Sequence, residues 1–333
     1  MTNQMFELSR KMFELSRNPA QRFDAEEIYG LPVDSAVAFS NHRCIYKPGI
    51  EKQQRKFLKK LGFLTPFLLP GEIILHVTLG CLPASFVEQI LTGILLGPLK
   101  RTLLVVTNKR ILHIPTTYRL AYRYSISQIM FADCRQIRVS FSTLIAKYKS
   151  GRTERFRCIS RGGRKKIKAI LKNASLEGKT SPALERTNMC PACAKPLIKG
   201  CYICPNCSLK FKTKTSATLL SVIFPGGGYF YTRHPFLGML AAAMELLFAS
   251  LLTVSSIVFI ENYTEDLKYL GQAVVICAIA IVYQKLATSL FSGKCVDEFI
   301  PKKRHVEVQI EKVITDGAAP QPEDMLASNW RSI

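Results

Sequence analysis

The sequence offers few of the residue patterns on which enzymes are built. It contains five histidines, scattered along 333 residues, and it has no Gly-x-Ser-x-Gly, no His-Glu-x-x-His and no paired carboxylates in a recognisable frame. The glycines at 226–228 are not followed by the Lys-Ser/Thr of a phosphate-binding loop. His76 and His113 lie in strand-like stretches, where a histidine is more often a core or edge residue. We therefore predict that the chain is not an enzyme and has no catalytic residues.

Acidic residues are scarce relative to basic ones. The chain has 24 Asp and Glu against 46 Lys and Arg, a formal net charge of +22. The imbalance is confined to residues 1–215, which hold 37 basic and 13 acidic side chains, whereas residues 216–333 hold 9 and 11. A surface this basic attracts polyanions, of which nucleic acid and the anionic face of a membrane are the common ones.

The first 22 residues lack the continuous apolar core of a signal peptide. Instead, Met5–Arg10 is repeated seven residues later as Met12–Arg17, which predicts a short amphipathic helix within an N-terminal helical or linker region, residues 1–64. A membrane anchor or a partner helix is the alternative interpretation of the repeat. Any membrane insertion is then expected to start from an internal segment.

Residues 65–173 have a strand-rich pattern that ends in a basic helix. Strands are predicted at 72–79, in a hairpin at 102–114 with its turn at Asn108, and at 137–143, 145–149 and 152–159. Leu69-Pro70-Gly71-Glu72, Val106 to Ile111, and Lys149 to Arg152 resemble the corresponding segments of bacterial pleckstrin-homology (PH) and GRAM-type domains. The resemblance implies a PH-like β-barrel or sandwich with a C-terminal helix, from which the Leu- and Ile-rich insertion at 82–99 departs.

Four cysteines form the strongest motif. Cys190 and Cys193, then Cys204 and Cys207, are two Cys-x-x-Cys pairs separated by ten residues, a spacing that brings four thiolates into a tetrahedron around structural zinc. We predict a small zinc ribbon at 189–211, after a linker at 174–188. A redox-active cysteine pair is the alternative interpretation of the motif, and Cys201 is an alternative ligand. The other cysteines are scattered singly, which favours a reducing compartment.

Basic residues are dense around the closing helix. Between Arg135 and Lys172 the sequence has thirteen Lys or Arg and one acid, Glu154. This density favours either an ordinary solvated face or a patch that binds anionic lipid or a protein partner. The candidate residues of the patch are Arg155, Arg157, Arg161, Arg164, Lys165, Lys166 and Lys168.

Two long apolar runs, 237–260 and 269–291, predict a transmembrane helical hairpin. The loop between them is acidic and the outer flanks are basic, so the positive-inside rule predicts a multi-pass protein of the cell (inner) membrane with both termini cytosolic. Glu245, the one charge in the first run, is expected to contact Lys285 or to pack within an oligomer.

The segment 216–233 precedes the first run and is predicted to be re-entrant or interfacial, because Pro225 and three glycines interrupt it. Its Phe-Pro-Gly-x-Gly-x-Phe-Tyr pattern is similar to the segment that opens small bacterial two-helix transmembrane modules, a likeness that covers about 217–292. The tail at 301–333 is polar and expected to be disordered.

Taken together, the fold class is a multidomain α+β membrane protein. The function that these features favour is a membrane-anchored adaptor or sensor, whose basic PH-like domain engages an anionic leaflet or a protein partner, with homo-oligomerisation a further possibility. Two alternatives remain open: a nucleic-acid-binding zinc-ribbon protein, and a small transporter or channel subunit that uses Glu245.

Overall fold

The computed structural model describes residues 25–82, 101–116, 126–172, 184–261 and 267–302, with positions 174, 176, 180 and 181. The predicted N-terminal heptad helix, the insertion at 82–99 beyond its first residue, and the tail after residue 302 lie outside these residues. The chain divides into two compact units. The first extends to Leu197, and the second comprises Ile198–Lys303.

The first unit contains a seven-stranded sheet in the order β1-β2-β3-β4-β5-β6-β10. All neighbouring strands are antiparallel except β2 and β3, which pair in parallel. The strands are β1 (Glu26–Ile28), β2 (Leu31–Val33), β3 (Ile74–Cys81), β4 (Arg101–Thr107), β5 (Arg110–Pro115), β6 (Ile126–Met130) and β10 (Thr187–Met189). The hairpin with its turn at Asn108, predicted from the sequence, is the centre of this sheet.

A second, antiparallel sheet follows, formed by β7 (Cys134–Ser140), β8 (Thr143–Tyr148) and β9 (Thr153–Phe156). Helix α3 (Arg161–Lys172) comes next in the chain and lies against β7 and β3. The two sheets meet at one corner, where Cys81 and Arg157 exchange backbone hydrogen bonds of 2.8 and 2.7 Å. The unit is therefore a mixed α+β structure with a large and a small sheet. The strands predicted from 72 to 159 and the basic helix after them are present, whereas β1, β2, β6 and β10 were not predicted, and β10 follows the helix that was expected to close the domain.

Both faces of the large sheet are covered. Leu103 and Val105 of β4 point into one hydrophobic cluster, and Leu104 and Val106 point into another on the opposite face. The second cluster is completed by the small sheet and by Ile167 of α3. Strands that are buried on both faces need continuous apolar runs rather than alternation, which is why Leu103–Val106 reads as Leu-Leu-Val-Val.

The N-terminal region differs from the sequence expectation. Residues 1–64 were predicted to be a helical or linker region outside the sheet domain, yet β1 and β2 belong to the large sheet. Helices α1 (Ser35–Ala38) and α2 (Pro48–Leu58), with the 3₁₀ helix Gly62–Phe67, supply the buried side chains that cover its first face. The physical reason is that a doubly apolar sheet needs a cover on each side. Residue 65 is therefore not a structural boundary.

Gln54 of α2 shows how closely this region is joined to the sheet. Its side chain donates to the carbonyl oxygen of Val77 at 2.8 Å and accepts from the N–H of Val77 at 2.9 Å. Strand β2 pairs with β3 only at Ile74, so the next stretch of that edge has no strand partner in the described chain. The Gln54 amide satisfies both backbone groups of Val77 in place of a strand.

The second unit consists mainly of four helices: α4 (Lys214–Ile223), α5 (Gly227–Tyr231), α6 (Pro235–Glu261) and α7 (Leu267–Val296). Helices α6 and α7 pack against each other along their length, and α4 packs against α7. The chain returns after α7 to pair with the segment before α4, because Lys212 N–H donates to Ile300 O at 2.8 Å and Lys302 N–H donates to Lys210 O at 2.9 Å.

Candidate functional site

The two cysteine pairs lie in loops of the same geometry. In the first, the N–H of Cys190 donates to Lys195 O at 2.8 Å and the N–H of Ala194 donates to Cys190 O at 2.9 Å. In the second, Cys204 and Leu209 make the corresponding bond at 2.9 Å, and Ser208 bonds Cys204 O at 3.0 Å. Ala194 and Ser208 both adopt left-handed backbone conformations, with φ of 54° and 58°. Each of the two Cys-Pro-x-Cys sequences thus forms the same type of turn.

The four candidate ligand atoms are close together. The Sγ atoms of Cys190, Cys193, Cys204 and Cys207 all lie within 4.8 Å of one another. Around a tetrahedral zinc with Zn–S bonds of about 2.3 Å, neighbouring sulfurs are about 3.8 Å apart, so the cluster fits a metal of that size. Cys201, the alternative ligand, is exposed and is not one of the four. The predicted ligand set is therefore brought together as a site that can hold a metal ion.

The small sheet presents a basic outer face. Strand register places Arg138, Ile145 and Arg155 side by side across β7, β8 and β9, with Lys147 on the same face. In the sequence, Arg155 and Arg157 alternate with Phe156 and Cys158, which predicts one basic and one buried face. Arg155 and Arg157 are exposed and Phe156 is buried as predicted, but Cys158 is exposed, because β9 ends at Phe156. The one acid of these strands, Glu154, lies in an inward-facing register position and accepts from Tyr148 Oη at 2.9 Å. The outer face of this sheet is consequently free of negative charge.

Helix α3 contributes the other candidates, with one correction. Arg161, Lys165 and Lys168 are exposed, and Arg164 is partly buried with its guanidinium on Phe141 O. Lys166 was predicted to belong to the binding patch, but it is buried. Its Nζ donates to Ser40 Oγ at 2.9 Å and to Asn41 O at 3.1 Å, and burial lowers its pKa to about 8. Lys166 therefore joins α3 to the N-terminal region and is not available to a ligand.

An exposed aromatic residue beside the basic face was missed by sequence reasoning. Phe141 occupies the turn between β7 and β8, with φ of 48° and 89% of its surface exposed. The turn is held from behind, since Ile159 N–H donates to Ser142 O at 3.1 Å. The sequence Ser-Phe-Ser contains no glycine, proline, asparagine or aspartate, which are typical of tight turns. The turn position of Phe141 could have been predicted only from where β7 ends and β8 begins.

Two of the three segments that carried the PH and GRAM resemblance, 69–72 and 106–111, meet in one buried network. Arg110 Nη2 lies 2.7 Å from Glu72 Oε2, and both side chains are almost fully buried. Glu72 also accepts from Thr107 Oγ1 and from the N–H of Leu69, each at 2.7 Å. The side chain of Asn108 completes the contact by accepting from Ile73 N–H at 3.0 Å. These motifs have a structural role, in which two distant segments are held by a paired buried charge.

The two strand histidines are core residues. Complete burial lowers the pKa of His76 to about 3, and burial likewise lowers the pKa of His113 well below its usual value. Nδ1 of His113 lies 3.0 Å from Ser127 Oγ, and the ring packs against Phe156 with centroids 5.4 Å apart. Both are neutral at physiological pH.

Two helices of the second unit are long and apolar enough to span a membrane: Pro235–Val258 and Gly271–Val296, each of which contains the core of a predicted run. Only 22% and 11% of their most apolar stretches are buried. The exposed side chains include Phe236, Met239, Leu247, Val254, Ile276, Ile279 and Val282. A core helix of a soluble protein would bury such residues.

Glu245 has a partner within the unit. Its Oε2 lies 2.7 Å from Nζ of Lys285, and its Oε1 accepts from the N–H of Gly226 at 3.3 Å. Nearby, Gln284 Nε2 donates to Ala241 O at 2.7 Å. The contact between Glu245 and Lys285 that the sequence suggested is present, and it joins α6, α7 and the glycine turn.

Comparison with known proteins adds no relative, because no family model, curated protein or solved structure matches the chain.

Proposed function

We propose that the protein is a non-enzymatic, membrane-anchored adaptor or sensor of the cell membrane. Helices α6 and α7 anchor it, the four-cysteine ribbon binds zinc as a structural element, and the PH-like domain presents its basic face to anionic lipid. The observation that carries the proposal is the large apolar surface of α6 and α7, whose exposed Leu, Ile, Val, Met and Phe side chains have no protein cover in the described chain.

The distribution of charge supports a membrane orientation. Lys210, Lys212, Lys214 and Lys302 lie at the end of the helices where α4 begins and α7 finishes. Lys214 is paired there with Asp297 at 2.8 Å. Basic residues at the ends of a hairpin favour the cytosolic side, so we place both ends of the hairpin in the cytosol. A cytosolic ribbon keeps its thiols reduced for metal binding.

A basic sheet face with an aromatic tip is a suitable surface for an anionic leaflet. Each basic side chain near such a surface contributes about 1 kcal/mol, and an interfacial aromatic residue such as Phe141 adds apolar contact. The register of Arg138 with Arg155 concentrates these charges on one side of the small sheet. We favour lipid over a protein partner because this face lacks acidic residues and has one exposed aromatic rather than an apolar patch.

The environment of Glu245 favours anchoring over transport. A carboxylate that serves ion transport must be reachable from water, whereas Glu245 is 4% exposed and contacts Lys285 and the Gly226 amide. The pair therefore acts as a fixed contact between helices. Glu245→Gln is expected to leave no flux phenotype in proteoliposomes, and a loss of ion flux that the wild-type chain supports would restore the transporter alternative.

Extraction of the full chain from cell membranes tests the anchor. The wild-type chain is expected to stay in the pellet after carbonate treatment and to be released by detergent. Leu247→Lys/Leu251→Lys places charges on exposed positions of α6, at about 2.5–3.5 kcal/mol each near the membrane centre, and should reduce the pelleted fraction. Tyr46→Lys, an exposed position in the first unit, is the matched control and should change nothing. A wild-type chain that washes off with carbonate would refute the anchor, and binding to nucleic acid would then be measured first.

A further inference from the structure

The helix pair α4 and α5 forms a hairpin whose two ends lie at the same level. The N–H of Thr213, just before α4, donates to Tyr231 Oη at 3.2 Å, and Lys212 Nζ donates to Tyr231 O. Tyr231 is the last residue of α5. The segment therefore enters the helical bundle and comes back to the same end within about twenty residues.

The depth of the turn follows from its contacts with the long helices. Gly226 lies against the backbone of Gly238 and Ala242, which are three and seven residues into α6. At 1.5 Å per residue these positions are about 5–10 Å from the start of that helix. On the other side, Ser221 Oγ is 3.2 Å from Ser292 Oγ, four residues before the end of α7, or about 6 Å. The hydrocarbon core is about 30 Å thick, so the turn lies within one leaflet.

The turn is built for close packing at this depth. A Cβ on Gly226, which has φ of 65°, would lie 2.2 Å from the carbonyl oxygen of Gly238. Glycine is therefore required at position 226 for two reasons: it adopts the left-handed conformation, and it lets its backbone approach that of Gly238. From below, the carboxylate of Glu245 accepts from the N–H of Gly226, and this carboxylate is itself paired with Lys285. One carboxylate oxygen of Glu245 thus accepts from the buried N–H of Gly226, while the other oxygen pairs with Lys285.

The outer side of the hairpin is apolar and exposed. Leu219, Val222 and Ile223 in the second half of α4, and Phe224 directly after it, each expose more than half of their surface, as many positions of α6 and α7 do. These four side chains continue the apolar surface of the long helices and stop at the turn. Lys214, at the shallow end, is paired with Asp297 after the end of α7.

We propose that residues 214–231 are a re-entrant hairpin that enters the cytosolic leaflet, turns at Pro225-Gly226 without crossing the membrane, and packs its outer side chains against acyl chains of that leaflet alone. The proposal rests on the membrane anchoring proposed above. It places four helices, α4 to α7, in the cytosolic leaflet and two, α6 and α7, in the other, with the Glu245–Lys285 pair on the deep side of the turn.

Tryptophan fluorescence of the full chain in vesicles tests the depth. The chain has one tryptophan, so W330F provides a dark background in which Phe224→Trp reports on the turn. Leu240→Trp, exposed on α6 about 7 Å from its start, is the control for equal depth, and Phe236→Trp, at the start of that helix, is the control for a shallow position. Quenching is measured with lipids brominated at shallow or deep acyl carbons, and with iodide in the water.

The expected result is that Phe224→Trp and Leu240→Trp lose the same fraction of fluorescence to each brominated lipid and are insensitive to iodide. Iodide quenching of Phe224→Trp, or bromine quenching like that of Phe236→Trp, would overturn the proposal, because the segment would then lie on the surface. If Leu240→Trp itself is not quenched by any brominated lipid, the membrane anchor fails, and the re-entrant hairpin fails with it. Adding Glu245→Ala should make Phe224→Trp shallower while Leu240→Trp is unchanged.

Discussion

Replacing Glu72 with glutamine is expected to destabilise the first unit severely. Glu72 is a buried carboxylate that accepts from Arg110 through Nε at 2.9 Å and Nη2 at 2.7 Å, and from Thr107 and Leu69. Glutamine has nearly the same shape but no charge. The guanidinium of Arg110 would keep its positive charge in an interior where only neutral acceptors, including the carbonyl oxygen of Phe67, remain.

The size of the effect follows from the burial of both partners. Their side chains are 2% and 0% exposed, so water cannot replace the lost partner. Removal of one member of such a pair costs about 3–5 kcal/mol, whereas removal of both charges is far less harmful. For a unit of this size, each kcal/mol lowers the melting temperature by about 2–4 °C, which gives a decrease of roughly 6–20 °C for Glu72→Gln. Glu72→Gln/Arg110→Met should recover most of the loss.

Thermal unfolding of the detergent-solubilised full chain, followed by circular dichroism of the sheet, measures these changes. Glu51→Gln is the matched control, because Glu51 and Arg55 form a more exposed pair at 2.7 Å, of a kind worth about 0.3–0.5 kcal/mol. It should shift the transition by less than about 2 °C. If Glu72→Gln melts within that same margin, the buried pair does not hold the two motif segments together, and a functional role for Glu72 and Arg110 would have to be considered.

Three further predictions concern the metal, the buried lysine and the basic face. Cys204→Ser is expected to remove bound zinc from the purified chain and Cys201→Ser to leave it, as measured by elemental analysis; zinc retained by the first variant would contradict the ligand set. The pKa of Lys166 is about 8 when folded and 10.5 when unfolded, so the unfolded state binds more protons between these values and the free energy of unfolding should rise with pH across that window, by up to about 3 kcal/mol. Melts of Lys166→Met should lack this rise, and equal pH profiles for the two chains would refute the assignment. Arg155→Glu should weaken capture of nanodisc-held protein by anionic vesicles by about 2 kcal/mol, roughly 30-fold, while Lys59→Glu should not; equal losses would mean that overall charge, not this face, is responsible.

Local patterns predicted the parts of the fold that depend on neighbouring residues. The hairpin at Asn108 follows from two apolar runs around a turn residue, and the exposed Arg155 beside the buried Phe156 of β9 follows from alternation, which stops before Cys158. The cysteine site could also be predicted, because each Cys-Pro-x-Cys sequence forms its own turn and two such turns supply the four ligands of a metal site. The long helices required nothing beyond length and composition.

Features that depend on distant partners could not be predicted in this way. Lys166 has the neighbours of a surface lysine in sequence, and its burial is decided by Ser40 and Asn41, more than 120 residues away. Strands β1 and β2 have three residues each, too few for a periodicity to be visible. The structural role of Glu72 likewise emerges only when Arg110 is brought to it by the hairpin.

The pairing of Ile300–Lys302 with Lys210–Lys212 has a consequence for the order of assembly during synthesis. The bridge between Phe211 and Pro301 joins the segment that leaves the second cysteine loop to a segment translated about ninety residues later. The ribosome must therefore deliver both long helices before this bridge can form. While α7 is still being synthesised, the backbone after the second cysteine loop has no strand partner. This part of the ribbon can therefore be completed only after both long helices have been synthesised and the chain has come back to Phe211.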